Sequence, residues 1–241
     1  MNLVIDIGNS RIKSAIFNRK KLIWHGDSAK QLSKKLLKQY EVKHTLVCNV
    51  SGKTFSFIQF LKKQTDYIEL TDRTPLPIKN KYETPKTLGK DRLAAAVGFA
   101  SLFPKTDLLV IDMGTCITCD FVNSKNEFLG GAILPGIEMR LKAMHQFTGN
   151  LPLVKKGNSK NKLLGRNTKD ALLAGGVTAT VFEIESIING YKLRYEKLRV
   201  GVTGGDSTFF AAEFKKGIFA NPHLVLIGLN EILEYNRSRS A

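Results

Sequence analysis

One apolar phrase occurs twice in this chain. LVIDIG spans residues 3–8 and LVIDMG spans residues 109–114, so Leu3, Val4, Ile5, Asp6 and Gly8 are matched by Leu109, Val110, Ile111, Asp112 and Gly114. Each copy begins as a buried strand and ends in a carboxylate and a glycine, where continued burial would favour Val or Ile. Each also opens the same run of elements: NLVID, RIKSAIF and KLIWHG in the first copy, LLVIDMG, CITCDFV and EFLGGAIL in the second. Three successive strands separated by turn residues form a meander. A phrase that recurs together with the order of its elements points to two related domains, 1–106 and 107–241, with the last helix placed to pack back on the first domain.

Between the two copies, SAKQLSKKLLKQY and KTFSFIQFLKK carry apolar residues at helical spacing and alternate with the strands HTLVCNV and DYIEL. The first half therefore reads β-β-β-α-β-α-β, an α/β domain with a mixed β-sheet flanked by helices. Residues 71–87 hold three of the seven prolines and no hydrophobic period, and read as a long loop of the kind that is often functional. Gly89 to Phe103 is expected as a helix packed through Ala94, Ala95 and Ala96 and stopped before Pro104. Further on, a helix opens at Pro135 and Gly136 and runs to about Phe147, and a loop covers 148–166. A long helix then runs from about 168 to 196, LRVGVTGG is a strand, and a short helix precedes a final one from Asn221.

The N-terminal MNLVIDIGNS has no basic n-region, and the longest mostly apolar stretch, LAAAVGFASLF, is shorter than a bilayer span, so a soluble cytoplasmic protein without membrane contact is expected. Cys48, Cys116 and Cys119 read as reduced thiols. Cys116 and Cys119 form a C-x-x-C inside an alternating strand, with no second pair and no nearby His to complete a zinc site. The formal net charge of +16 is spread over RKK at 19–21, KK at 34–35 and 62–63, and the loop VKKGNSKNK at 154–162, without interleaved aromatics. That pattern describes a solvated lysine-rich exterior, which attracts anions of every kind, better than a surface that reads nucleic acid.

A strand that ends in Asp and Gly turns sharply, presents backbone N–H groups and aims its carboxylate past the strand, which suits a phosphate with a divalent metal. Asn9, Ser10, Arg11 and Lys13 add donors and positive charge around the first turn, and Thr115 and Thr118 add hydroxyls around the second. Either aspartate alone also reads as a locally satisfied turn residue. Two such loops facing across an interdomain cleft would hold a nucleoside triphosphate. Neither G-x-x-x-x-G-K-[ST] nor a G-x-G-x-x-G following a strand is present.

D-x-G-N-S-x-x-K (Asp6 to Lys13), G-x-D-R (Gly89 to Arg92), D-x-G-T (Asp112 to Thr115), G-G-x-I-x-P-G (Gly130 to Gly136) and G-x-N-T (Gly165 to Thr168) occur in that order. The set resembles type III pantothenate kinase, a family within the actin, sugar kinase and heat-shock chaperone superfamily. The resemblance implies two ribonuclease H-like domains with an interdomain nucleotide cleft, and ATP-dependent phosphorylation of pantothenate to 4'-phosphopantothenate, the first step of coenzyme A synthesis. It implies Asp6, Ile7, Gly8, Asn9, Ser10, Arg11, Ile12 and Lys13 as a phosphate loop, with Asp6 reaching Mg2+ through water. Asp112 would hold a monovalent cation, K+ or NH4+, and Thr115 would contact ATP. Asp91 would be the general base, and Tyr82, Gly89, Lys90, Asp91, Arg92 and Thr168 would line the pantothenate pocket. The resemblance further implies a homodimer with the pantothenate site near its interface, which would let Thr168 reach the neighbouring subunit's substrate. Val202 to Asp206, VTGGD, falls where the superfamily places the nucleoside.

The chemistry of these residue types agrees. Phosphoryl transfer needs positioning and charge neutralisation more than covalent help. Asp91 and Arg92 supply a carboxylate to take a hydroxyl proton and a guanidinium to bind an anionic or polar group. Plain readings stand beside these roles: Asp91 as an acidic residue favoured at a helix N-terminus, Asn167 and Asp170 as a cap around Thr168, Tyr82 as packing for the proline loop, and VTGGD as a simple strand-to-helix turn. Lys90 departs from the small residue common in the family, and Cys116 and Cys119 are unusual in the D-x-G-T strand. A transcriptional accessory protein and a kinase of another small alcohol are alternatives on the same scaffold; an intact Asp6, Asp91, Arg92 and Asp112 favours a kinase.

Overall fold

The computed structural model describes residues 1–52, 55–157, 163–214 and 217–240; residues 158–162 of the basic loop 154–162 lie outside the described residues, as do 53, 54, 215, 216 and 241. Two units divide the chain, the first comprising Met1–Leu108, Asp120–Gly130 and His223–Ala241 and the second Leu109–Cys119 and Gly131–Pro222.

The first unit is organised by β1 (Asn2–Ile7), whose side chains alternate between two faces. Leu3, Ile5 and Ile7 join Ile16, Val47, Leu37 and Leu61 in one buried cluster, the last two supplied by α1 (Lys34–Gln39) and α2 (Ser56–Gln64). β2 (Ile12–Asn18) and β3 (Lys21–Gly26) run antiparallel beside β1, while β4 (His44–Asn49) and β5 (Asp66–Glu69) are added in parallel. The resulting order, β3-β2-β1-β4-β5, is a mixed sheet. Its central strand sets Asp6 between Lys13 of β2 and Cys48 of β4.

α3 (Lys90–Leu102) is buried from Arg92 to Ala100 and packs on α8 (Leu224–Ser240), which also crosses β1. A Cβ on Gly98 would come within 2.1 Å of the Leu224 carbonyl oxygen, and one on Gly228 within 1.7 Å of that of Ala94, so the two helices meet backbone to backbone. A polar network closes this side: Asn2 Nδ2 donates to Asn230 Oδ1 (3.0 Å) and to Glu234 Oε1 (2.5 Å), and Asn230 Nδ2 donates to the Arg19 carbonyl (2.9 Å). Burial without such partners would cost each amide its hydration.

A six-stranded sheet has the order β11-β10-β7-β8-β9-β6, where β6 is Lys79–Asn80, β7 Leu108–Met113, β8 Cys116–Val122, β9 Glu127–Pro135, β10 Arg199–Thr203 and β11 Ile218–Ala220. β6 pairs in parallel with Glu127 and Phe128, which are grouped with the first unit. In the second unit, Leu109, Ile111, Met113, Val200 and Val202 of the sheet pack with Ile137 and Leu141 of α4 (Ile137–Gln146) and with Leu172, Val181, Ile184 and Ile188.

Several elements differ from what the sequence suggests. β6 lies inside the segment expected as an unstructured loop; two polar residues carry no apolar alternation to announce a strand. Residues 28–40, expected as one helix, form a 3-10 turn at Ala29–Gln31 and then α1, because Ser28 and Ser33 each cap a separate start, accepting from Lys30 N and Leu36 N. The long helix expected from 168 to 196 is α5 (Thr168–Leu173), a π turn at Ala174–Thr178 and α6 (Ala179–Lys192). Gly175 and Gly176 are poor helix formers, and a Cβ on Gly176 would approach Leu141 Cδ2 to 2.7 Å, so the wider turn falls where α4 crosses. Thr168–Lys192 is long and apolar enough to cross a membrane by length and composition, yet its apolar residues Leu172, Val177, Val181, Ile184 and Ile188 sit in the unit's core. β11 follows α7 (Ser207–Glu213), and the final helix starts at Leu224, after Pro222.

Candidate active site

In the first unit the turn after β1 is closed by the Gly8 N–H donating to the Arg11 carbonyl (3.0 Å), with Asn9, Ser10 and Arg11 exposed around it. Ile7 and Ile12 face each other as the last pair of the β1–β2 ladder, so the string from Asp6 to Lys13 is a hairpin whose tip meets solvent. Asp6 itself lies beside Cys48 in the next strand. Burial pushes the Cys48 thiol well above its ordinary value, Asp6 and Asp91 push it further, and Lys90 acts the other way. Asp6, Asp91 and Lys90, far apart in sequence, thus all act on the charge of one buried thiol.

Asp91 is held at the first turn of α3, where its Oδ1 accepts from the Arg92 backbone N–H (2.9 Å). Gly89, just before the helix, leaves room for that carboxylate, since a Cβ there would lie 2.6 Å from Asp91 Oδ1. Lys90 and Asp91 are half-buried.

Arg92 is 6% exposed and does not face solvent. Its Nε donates to Asp120 Oδ1 (3.0 Å) and Oδ2 (3.1 Å), and its Nη2 donates to Asp120 Oδ1. The guanidinium carbon lies 5.6 Å from the Tyr82 ring centroid and 6.0 Å from that of Phe128. Burial works against the charge, but Asp120 and Tyr82 more than offset it and hold the guanidinium above its ordinary value. Tyr82 is positioned by the short β6: its N–H donates to Asn80 Oδ1 (3.0 Å), and the neighbouring Lys81 N–H to the Phe128 carbonyl (2.9 Å). Its ring packs on Gly130, Phe128 and Arg92.

In the second unit Asp112 stands near the end of β7, and the D-x-G-T turn is closed by the Gly114 N–H donating to the Cys116 carbonyl (3.1 Å). The Gly136 N–H, at the start of α4, donates to the Thr115 carbonyl (3.1 Å). The VTGGD turn folds against the same strand end: the Asp206 N–H donates to the Met113 carbonyl (3.1 Å). Gly204 has φ +95°, and a Cβ there would meet Asp112 Oδ1 at 2.4 Å and Met113 N at 2.6 Å. Lys156 Nζ donates to Asp206 Oδ1 (2.6 Å) and lies 4.5 Å from the Phe209 ring centroid. Thr168 is the exposed first residue of α5, capped by Asn167, whose Oδ1 accepts from Asp170 N (2.9 Å).

Asp6, Lys90, Asp91, Arg92 and Tyr82 thus belong to one unit, and Asp112, Thr115 and Thr168 to the other. Asp120, Phe128 and the ring-seating role of Gly130 escaped the sequence reading. Asp120 had a usable signal: a carboxylate between Cys119 and Phe121, inside an apolar strand and away from its end, needs a buried partner. Among the described residues no group of three or more His, Cys, Asp or Glu side chains could hold a metal ion.

Residues 2–190 match the sequence pattern of the family type III pantothenate kinase. The type III pantothenate kinase of Bacteroides fragilis is 42% identical over 243 residues, covering 99% of this chain and 100% of that one. That of Cytophaga hutchinsonii is 41% identical over 247 residues, covering 98% and 100%. Among solved structures, a protein of Campylobacter jejuni described as a Baf family transcriptional activator superposes with a TM-score of 0.62 at 24% identity, covering 98% of this chain and 99% of that one. A ROK family glucokinase of Streptomyces griseus, solved with glucose and AMPPNP, superposes with a TM-score of 0.55 at 10% identity, covering 97% and 99%. Both likenesses are of fold.

Proposed function

The chain belongs to the type III pantothenate kinase family, whose members phosphorylate pantothenate in coenzyme A synthesis with ATP as donor, and we propose that Asp91 is the general base of that reaction in this protein. The observation that carries the assignment is the seating of Asp91 in the first turn of α3, where the Arg92 N–H fixes its Oδ1 and leaves Oδ2 open, in the same unit as the phosphate-loop strand. Because Asp91 Oδ1 is engaged by the Arg92 N–H, Oδ2 is the oxygen that takes the proton. The primary hydroxyl of pantothenate loses that proton to Oδ2, its oxygen attacks the γ-phosphorus, and ADP leaves. A base fixed by its own helix needs no reorientation as the hydroxyl arrives.

The hairpin from Asp6 to Lys13 holds phosphate oxygens with its exposed backbone and with Asn9, Ser10, Arg11 and Lys13, while Lys90 offsets charge near the reacting centre. Tyr82, Gly89, Lys90, Asp91 and Arg92 form the pantothenate pocket, and Thr168 reaches the neighbouring subunit's pantothenate across the dimer. Thr115 contacts ATP.

Mg2+, when bound, neutralises the triphosphate; such an ion is carried mainly on nucleotide phosphates and water, and Asp6 would reach it through water. A monovalent cation, K+ or NH4+, fits Asp112. The carboxylate faces a bare glycine that a Cβ would fill, and Thr203, one residue before that glycine, buries a hydroxyl that has no partner among the described residues. These are hard oxygen donors of the kind such ions take.

The protein acts as a cytoplasmic homodimer. Support for the dimer comes from the second unit, where Arg140 pairs with Glu183 and ties α4 to α6 while Met139 and Phe182 beside them remain 38% and 52% exposed. Sedimentation of the purified protein tests this. The activity is tested by ADP release from ATP with Mg2+ and K+ across a panel of hydroxylated acceptors. Pantothenate alone should support turnover; equal rates with another small alcohol would overturn the substrate assignment.

A further inference from the structure

Asp120, the ion-pair partner of Arg92, lies outside every motif named above. Side-chain exposure is 7% for Arg92 and 2% for Asp120, so both charges are withdrawn from water and each depends on the other. Nε and Nη2 form a planar edge committed to the Asp120 carboxylate, and Tyr82 and Phe128 lie against the guanidinium. Of the three guanidinium nitrogens, only Nη1 has no hydrogen bond to Asp120. An arginine clamped in this way has its donor directions set before a ligand arrives, which is the condition for a hydrogen bond that costs little ordering.

We propose that Asp120 is a positioning residue for pantothenate: by fixing the Nε–Nη2 edge of Arg92 it aims the Nη1 donors of Arg92 at the substrate. The proposal rests on the reading that Arg92 lines the pantothenate pocket. Asp120 comes from β8, past the D-x-G-T turn, whereas Arg92 comes from α3, so the strand that follows one motif sets the orientation of a residue in another. A purely structural ion pair would serve folding equally well in any orientation of Nη1 and would leave substrate affinity untouched.

Asp120→Asn distinguishes the two. The new amide is nearly isosteric, but its Nδ2 sets a donor against the guanidinium donors, and the guanidinium must turn. Loss of one oriented charged hydrogen bond corresponds to roughly a ten- to hundredfold effect, so the KM for pantothenate rises by about that factor while the KM for ATP stays within about twofold. In an Arg92→Gln background, Asp120→Asn adds less than about twofold, because the residue through which it acts is gone. Asp120→Glu, which keeps the charge but moves the guanidinium by a methylene, shows the same selective rise. A pantothenate KM that is unchanged or lowered in folded Asp120→Asn, a parallel rise in both KM values, or additive effects in the double variant would each overturn the proposal. In the wild-type protein the Arg92 Nε–H resonance shifts on addition of pantothenate and not of AMPPNP alone; a resonance indifferent to pantothenate overturns it without any variant. Wild-type protein that turns over another alcohol in place of pantothenate would instead remove the functional reading on which the proposal stands.

Discussion

The ring of Tyr82 lies on the bare α-carbon of Gly130, where a Cβ would come within 3.0 Å of the ring's Cδ2 and Cε2. Gly130 also has φ +105°, a conformation that L side chains rarely adopt. Gly130→Ala therefore meets two penalties, backbone strain of about 1–3 kcal/mol and displacement of the ring that covers Arg92. Urea unfolding should show the lost stability, and the pantothenate KM should rise more than the ATP KM.

At the other strand end the close approach involves a carboxylate. Gly204→Ala drives a methyl toward Asp112 Oδ1, which it would meet at 2.4 Å. The thermal stabilisation that ATP with K+ gives the wild-type protein should be largely lost in the variant, while the added stabilisation by pantothenate is retained. Equal nucleotide shifts in both proteins would separate Asp112 from the nucleotide and its cation.

The thiols should titrate in two classes. Cys48 and Cys119 are buried and Cys116 is exposed. Burial, Asp6 and Asp91 also hold the Cys48 thiol protonated, and the thiol is far less nucleophilic than the thiolate. A chromogenic disulfide reagent should detect one fast thiol in the native protein and all three in denaturant. Rapid modification of Cys48 in the native state would contradict its burial in β4.

His223 should make stability depend on pH. Burial lowers its pKa below the ordinary 6.5, His25 and Lys13 act in the same direction, and Asp27 opposes them. Below pH 6.5 the unfolded chain therefore binds a proton that the native state resists, so this contribution is intact above pH 6.5 and is lost as pH falls through the lower native value. The urea midpoint should drop between about pH 7 and pH 5, and His223→Gln should reduce that drop. An identical slope in the variant would contradict the assignment.

The features legible in the sequence were those with a physical cost that only one structure repays. Asp6 and Asp112 interrupt apolar strands, and a charge at the end of a buried strand has to meet something outside it. Ala94 to Ala96 marked the close packing of α3, and Asn167 with Asp170 marked the start of α5. What stayed hidden depends on partners that are distant in sequence. Asp120 acquires its meaning from Arg92, 28 positions away, and Gly130 from Tyr82. β6 is too short to show a period, and the π turn depends on the approach of Leu141 to Gly176 as well as on the local Gly175–Gly176 pair. Arg92 is the instructive case: G-x-D-R picks it out, yet only its burial against Asp120 reveals that its donors are oriented in advance.

The most direct measurement compares pantothenate-dependent ADP release by the wild-type protein and by Asp91→Asn, with circular dichroism and thermal melting in parallel. The account predicts turnover in the wild type that requires pantothenate, and a loss of at least about a hundredfold in a variant that melts like the parent. Near-normal turnover by Asp91→Asn would contradict it.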